Sequence, residues 1–354
     1  LCRLLPSVDL ESTCSLRNSK NDSDQLNRKA PSSEGAFCCA CSFLGPISPP
    51  KTPRSGMENN ARQRIARQAE TAIANQQWGR LRFIGNRFER AGCYRDCWLA
   101  LTQASEATTR HQLPIWPGPA VNCGGVLVLP TTRDLGDELR ILRFVGDLKA
   151  HVDQVVVLSD PRLHPLLKRS FPGVVCCDPS ETPCNAELSH MAAQERLAYW
   201  FGSDPQQLQS TFCPLTAPIT AGQSPKGIGI SWFSKSRNKT LPAVEDWASV
   251  LKSIHQPLQS LQYLEKPAGI RTLRELSGQR IRSSQPIDQM LNLDGFAGQV
   301  AGVRGVLTIS NTTAHLAGAL GIPCVVVLDN GSITNWPDQG ETTPLYPSTR
   351  LIRR

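Results

Sequence analysis

Leu307-Thr308-Ile309-Ser310-Asn311-Thr312-Thr313-Ala314-His315-Leu316-Ala317-Gly318-Ala319-Leu320-Gly321-Ile322-Pro323-Cys324-Val325-Val326-Val327 contains a strand, a hydroxyl-rich turn, a small-residue helix and a second strand in immediate succession. Val306 to Ile309 is short and β-branched, as a buried parallel strand requires, and Ala314 to Leu320 is built from good helix formers and stopped by Gly321-Ile322-Pro323. The turn Ser310-Asn311-Thr312-Thr313 therefore sits at a helix N-terminus. Unpaired backbone N–H groups, the positive end of the helix dipole and extra hydroxyl donors there favour a phosphate or diphosphate. His315, in the first turn, points toward the same place. On local pattern alone, Asn311 or Thr312 can equally serve as a simple helix cap.

Working outward, 354 residues leave room for two or three domains, and 40% hydrophobic residues suffice for a sizeable core. No apolar run approaches the roughly 18 to 20 residues of a membrane-spanning helix, so no membrane span is expected and the protein is read as soluble and cytoplasmic. The net charge of +8 is uneven, with nine Arg against four acidic residues between Ala61 and Arg110. Without a Lys/Arg block or interleaved aromatics, that basic stretch reads as a solvated face and no nucleic-acid partner is expected. Thirteen cysteines raise zinc and disulfide readings. Cys38, Cys39 and Cys41, and the pair Cys176-Cys177, are too tightly spaced for a knuckle, and Cys93 with Cys97 has no matching second pair. Cys93, Cys97, Cys123 and Cys324 are read as free, buried thiols, and no metal site is expected.

Residues 1–60 are polar, rich in Ser, Pro and Asn, and read as disordered. The Phe37 to Leu44 patch is too short for a signal-peptide core, and Met57 directly precedes the first helical pattern, which suggests a non-native upstream segment with translation starting at Met57. Residues 61–110 carry helical spacing in Leu81, Ile84-Gly85, Phe88, Gly92, Tyr94, Cys97, Leu101 and Ala104. This order resembles one tetratricopeptide repeat, whose small residues let two antiparallel helices pack closely; a generic helical hairpin reads the same way. A single repeat cannot bury its own face well, so it should dock on the following domain or on a peptide partner.

Beyond a Pro-rich linker, Gly125 to Leu129 and Gln154 to Leu158 read as buried strands flanking an amphipathic helix from Asp137 to Leu148, a βαβ unit. The helix Pro161 to Ser170 leads to a short strand at Val174-Val175. After a second linker near Thr216 to Lys226 the pattern restarts: strand Gly227 to Trp232, helix Val244 to Ile254, strand Leu258 to Tyr263, helix Leu293 to Ala301, and then the opening stretch. Two strand-helix arrays, residues 120–218 and 224–354, predict two Rossmann-like, doubly wound α/β domains facing each other across a cleft.

Ligands in such sheets bind beyond the carboxyl ends of the strands. Four segments fall there. In Thr131 to Glu138, Gly136 lets the backbone pass close to a ligand and Asp137 opens the helix, either as an N-cap or with its carboxylate in the cleft as a general base. In Ser231 to Pro242, Lys235, Arg237 and Lys239 with several hydroxyls suit a leaving diphosphate or form a solvated loop. Gln262 and Glu265 are candidates for sugar or ribose hydroxyls, and Ser310 to His315 is the fourth segment.

Together these segments, over roughly Gly125 to Arg354, resemble the bacterial heptosyltransferase-like glycosyltransferases, glycosyltransferase family 9 and its relatives carrying tetratricopeptide repeats. The specific matches are Ser310 to Pro323, which is similar to the family's donor-diphosphate motif, and Leu135-Gly136-Asp137, similar to its N-domain motif. Arg162-Leu163, Arg169 to Gly173, Lys239 with Trp247, and Tyr346 to Arg350 add to it. The resemblance implies the GT-B pairing of two Rossmann-like domains, no cofactor and no metal, and inverting transfer of a sugar from a nucleotide-diphosphate donor to a hydroxyl of a glycan, a lipid-linked glycan or a protein. It implies Asp137 as the base, Lys239 on the donor phosphate, and Thr312, Thr313 and His315 on the diphosphate, with Ser310, Asn311, Gln262 and Glu265 also on the donor side. Three departures stand out. Ser310 replaces the family's usual Asp, Arg133-Asp134 replaces small or Gln-Gly residues, and the chain stops at Arg354 where the family continues into a final helix. They open an alternative, a non-catalytic relic acting as an interaction or nucleotide-sugar-binding protein.

Overall fold

The computed structural model describes residues 57–130, 134–181, 187–218, 226–236, 239–263, 267–283, 286–329 and 334–353. All of them belong to one compact unit, Ser55–Arg354. The disorder expected for residues 1–60 is overtaken at its end, where residues 57–60 open the first helix; the rest of that segment, residues 1–56 with Cys38, Cys39 and Cys41, lies outside the described residues.

The chain enters through α1 (Met57–Ala74), α2 (Trp78–Arg90) and α3 (Tyr94–Glu106). Gly92, at φ 74°, turns the chain between α2 and α3. A Cβ at Gly85 would lie 2.6 Å from Leu101 Cδ2, so the small residue sets how closely these two helices approach. The hairpin docks on the following domain. Trp98 Nε1 donates to the Gly202 carbonyl at 2.9 Å, and Arg196 grips Glu106 with two hydrogen bonds of 2.5 and 2.7 Å.

The first α/β array runs β1 (Cys123–Leu129), α4 (Leu135–Ile141), α5 (Phe144–Lys149), β2 (Val152–Leu158), α6 (His164–Ser170), β3 (Val175–Cys177), β4 (Leu188–Ala193), α7 (Gln194–Phe201) and α8 (Pro205–Ser210). Its strands pair in parallel in the order β3-β2-β1-β4, so the chain reverses its winding between β1 and β4. Leu127, Leu129, Val156, Leu158 and Met191 bury one face of this sheet. The expected single helix from Asp137 to Leu148 is two helices, α4 and α5, broken where buried Arg143 turns to donate to the Leu208 carbonyl at 3.1 Å. Strand β4, Leu-Ser-His-Met-Ala-Ala, lacks the β-branched signature and was not anticipated; its pairing with β1 makes it a strand.

The second array runs β5 (Ile228–Ser231), α9 (Val244–Lys252), β6 (Leu258–Ser260), α10 (Pro267–Ser277), β7 (Ile281–Arg282), α11 (Leu293–Ala301), β8 (Gly305–Ile309), α12 (Thr312–Ala319), β9 (Cys324–Leu328) and β10 (Thr349–Arg353). The described strands pair in parallel in the order β10-β9-β8-β5-β6-β7, with the switch of direction between β5 and β8. Ile230, Trp247, Leu251, Leu258, Leu273 and Ile309 form its core. The sequence pattern missed α10, β7 and β10; β6 ends at Ser260 rather than Tyr263 because Gln262 and Tyr263 turn inward to serve the neighbouring loop. Two doubly wound parallel α/β arrays behind a helical hairpin are thus the architecture.

Among the described cysteines, Cys97, Cys123 and Cys324 are buried thiols in no disulfide, whereas Cys93 is half-buried just before α3. No described helix is long and apolar enough to cross a membrane.

Candidate functional site

The carboxyl ends of all described strands in a sheet lie at one edge, and at each switch point the loops part and leave a crevice. In the first sheet that crevice is bordered by the segment after β1. Asp134 caps α4 there, accepting from the N–H groups of Gly136 at 3.0 Å and Asp137 at 3.1 Å. Asp137 is therefore not the N-cap; it stands in the first turn, where its carboxylate faces the other array. Its Oδ1 accepts from Asn335 Nδ2 at 2.6 Å and lies 3.2 Å from Arg140 Nη2. One turn on, Arg140 is 1% exposed and donates to Glu89 of α2, itself 0% exposed, while the Trp98 ring lies 5.6 Å from the guanidinium carbon.

In the second sheet the crevice between β5 and β8 is laced by Asn311 and Gln262. Asn311 Oδ1 caps α12 by accepting from Thr313 N at 3.0 Å and Ala314 N at 3.3 Å, and its Nδ2 donates to Ser231 Oγ at 2.9 Å and to the Phe233 carbonyl at 3.3 Å. Thr313, buried, donates to Ser231 Oγ at 3.3 Å. Gln262 Oε1 accepts from Trp232 N, Phe233 N and Ser231 Oγ at 2.8–3.2 Å, and its Nε2 donates to the Phe233 and Tyr263 carbonyls. The structure thus places Asn311 and Gln262 as the residues that shape the loop after β5. Glu265 and Arg237 lie outside the described residues.

Lys239 projects over this helix start. Its Nζ donates to the Ser310 carbonyl at 2.6 Å, and Ser310 Oγ accepts from Trp336 Nε1 at 2.9 Å. Burial lowers the lysine's proton affinity, and the carboxylates of Asp134 and Asp137 oppose that. Thr312 is half-buried at the first turn of α12. A narrow cleft beside Lys239 is lined also by Thr240, Ser310, Asp329 and Thr334.

His315 is buried where the two arrays meet. Its ring stacks on Trp336, centroids 4.8 Å apart and planes within 4°, and Nδ1 lies 3.3 Å from the Tyr346 hydroxyl. Burial, then the Arg140 charge, pushes its pKa down to about 3, so the ring is neutral at physiological pH and acts through hydrogen bonding rather than charge. A Cβ on Gly136 would meet His315 Cδ2 at 2.8 Å. The close approach that this glycine permits is to His315 across the inter-array contact.

The structure therefore gathers Asp137, Gly136, Lys239, Ser310, Asn311, Thr312, Thr313 and His315 at one place, and adds four residues that sequence reasoning passed over. Asn335 and Trp336 follow β9, at a strand end like the others, and that position was the available signal. Arg140 and Glu89 sit within apolar helix faces, at buried positions where charge is seldom left unpaired. Among the described residues, no group of three His, Cys, Asp or Glu is placed to hold a metal ion.

No protein-family model matches the chain. It is 27% identical over 277 residues to Protein FlbA of Caulobacter vibrioides, a match that takes in 69% of this chain and 46% of that protein. The chain thus spans less than half the length of this curated relative. Among solved structures, it is similar to ADP-heptose LPS heptosyltransferase II of E. coli, with 15% identity, 64% of this chain and 90% of that one covered, and a TM-score of 0.46. The iron-containing dodecameric glycosyltransferase TibC of enterotoxigenic E. coli H10407 is 15% identical over 66% of this chain and 64% of its own, with a TM-score of 0.44. E. coli heptosyltransferase WaaC with ADP gives 12% identity, 64% and 90% coverage, and a TM-score of 0.41. These likenesses are distant, and the fold assignment rests on the strand order and switch points described above.

Proposed function

We propose that this chain is an inverting glycosyltransferase that moves a sugar from a nucleotide-diphosphate donor to a hydroxyl acceptor without a metal ion. The observation that carries the reading is the joining of the two switch points: a carboxylate from the first array is hydrogen-bonded to the loop that follows β9 of the second, beside a lysine and a helix N-terminus. In the reaction, Asp137 takes the proton of the acceptor hydroxyl as its oxygen attacks the anomeric carbon. The bond from that carbon to the diphosphate breaks, and its electron pair leaves with the phosphate oxygen. Attack opposite the leaving group inverts the anomeric centre. Lys239 and the start of α12 stabilise the charge that develops on the diphosphate. Because Asn311 already occupies the N–H groups of Thr313 and Ala314, the diphosphate is met chiefly by Lys239, the Thr312 hydroxyl and neutral His315. The acceptor is a glycan, a lipid-linked glycan or a protein hydroxyl.

A nucleotide sugar needs a pocket of roughly 300–1,000 Å³, and the narrow cleft beside Lys239 is far smaller than that. The described walls therefore represent a closed form that parts to admit donor. That same closure favours a second reading, a non-catalytic protein whose hairpin takes a peptide partner and whose arrays are locked together. The two separate by calorimetry and turnover on the full chain with ADP, UDP, GDP and their sugars in the presence of a chelator. The transferase reading expects saturable binding that Lys239→Ala weakens about tenfold or more, and release of nucleoside diphosphate that Asp137→Asn lowers about 100-fold or more with donor affinity retained. Absence of binding and of turnover by folded protein selects the locked protein, whereas turnover unchanged in Asp137→Asn removes Asp137 from the mechanism.

A further inference from the structure

We infer that Glu89 and Arg140 position the Asp137 carboxylate for proton transfer, which makes the helical hairpin a working part of the site. The inference rests on the transferase reading above. Arg140 divides its guanidinium between two carboxylates. Nη1 donates to Glu89 Oε1, and Nη2 lies 3.2 Å from Asp137 Oδ1. Neither Nη2 nor Nε of Arg140 makes a hydrogen bond among the described residues, so Nη2 meets Asp137 as an ion pair. The guanidinium is held from the side by Trp98, whose indole N–H is tied to the Gly202 carbonyl. With both side chains at 0–1% exposure, the fork has one orientation, and that orientation ends at the proposed base.

A buried ion pair is a weak source of stability, since apolar residues of similar volume serve a core as well or better. If stability were the only role, the pair would be replaceable by such residues without effect on chemistry. The pair also ties three elements together: Glu89 is on α2, Arg140 and Asp137 are on α4, and Asn335 approaches the same carboxylate from the opposite side. The other titratable groups facing the cluster are Tyr94 and Cys97 of α3, His315 of α12, Tyr346, Asp134 and Lys239. Burial keeps both tyrosines and His315 uncharged, so the charge beside Asp137 is set by Arg140, Glu89, Asp134 and Lys239. Neutralising Glu89 leaves the Arg140 charge undivided and favours the ionised base; removing the pair withdraws that charge and disfavours it.

The test uses the full chain and reads nucleoside diphosphate released from ADP-heptose, UDP-N-acetylglucosamine and GDP-mannose, across pH, in the wild type, Asp137→Asn, Glu89→Gln and the double replacement Glu89→Leu with Arg140→Met. Positioning predicts that the folded double variant loses about tenfold or more in kcat with the donor KM nearly unchanged. Its acid limb of kcat should move to higher pH, and that of Glu89→Gln to lower pH. A folded double variant with wild-type kcat and an unmoved limb, beside an inactive Asp137→Asn, overturns the inference and leaves the transferase reading standing. Should the double variant not fold, the limb of Glu89→Gln decides alone: a downward move supports positioning, an unmoved limb overturns it. A wild type that releases no diphosphate from any donor overturns both.

Discussion

Glu138, next to the proposed base, is a carboxyl group displaced toward its neutral form. Burial pushes its pKa up from 4.5 to about 7, against the opposing hydrogen bond donated by Gln194 Nε2 at 3.2 Å. Between those two pH values the folded protein holds a proton that the unfolded chain has released, so this group's contribution to stability is full below pH 4.5 and is lost as pH rises through about 7. The size is roughly 3 kcal/mol for a group this buried. Glu138→Gln should flatten the fall in stability across that range and raise the melting temperature above pH 7; urea unfolding at several pH values checks it, and an unchanged slope would show that Glu138 is not the group responsible. Legibility differs sharply among single residues. Asp137 and His315 were visible because each sits in the first turn of a helix that follows a strand, whereas Lys239 was singled out from Lys235 and Arg237 only by the family resemblance. Glu89 and Arg140 were not, because a charge in an apolar stripe gives no sign of its partner until two helices pack.

The turn between β8 and α12 does two jobs through one side chain. Asn311 satisfies the start of the helix and, through Nδ2, holds the loop after β5 against the loop after β8. Asn311→Ala removes a cap and leaves buried Ser231 without that donor, a loss of about 2–4 kcal/mol. Asn311→Asp keeps the capping acceptor but not the amide donor and adds negative charge where a diphosphate would lie. It should recover part of the stability while weakening nucleotide binding further, and denaturant unfolding beside calorimetry separates the two effects. The helix and strands on either side were readable from periodicity alone, α11 and β9 to the residue. Helices α4 and α5 were read as one because the hydrophobic spacing runs through their junction, and β4 escaped notice because Ser, His and Ala carry no strand signal away from their neighbour β1.

The two arrays are also held together through α6 and the turn that precedes it. Arg169 of α6 holds Asp294 of α11 with two hydrogen bonds of 2.8 Å, and Arg162 donates to the Met290 carbonyl at 2.7 Å. Arg169 and Asp294 are 28% and 25% exposed, so the pair contributes about 1 kcal/mol or less to folding. Its effect should be on the spacing of the arrays instead. Arg169→Met is expected to lower the melting temperature by only about 2–4 °C while increasing the radius of gyration in small-angle scattering; an unchanged radius would place the restraint on opening elsewhere. The two arrays, their order along the chain and the turns that carry Asp137, Lys239 and His315 follow from local rules of periodicity, capping and strand-end placement, which act over a few residues. The completed site does not. Asn335 reaches Asp137 across 198 positions, and Glu89 reaches Arg140 across 51. These pairs exist because the hairpin and the two arrays bury charge against one another, and burial of a charge is a property of the packed interface rather than of the segment that carries it.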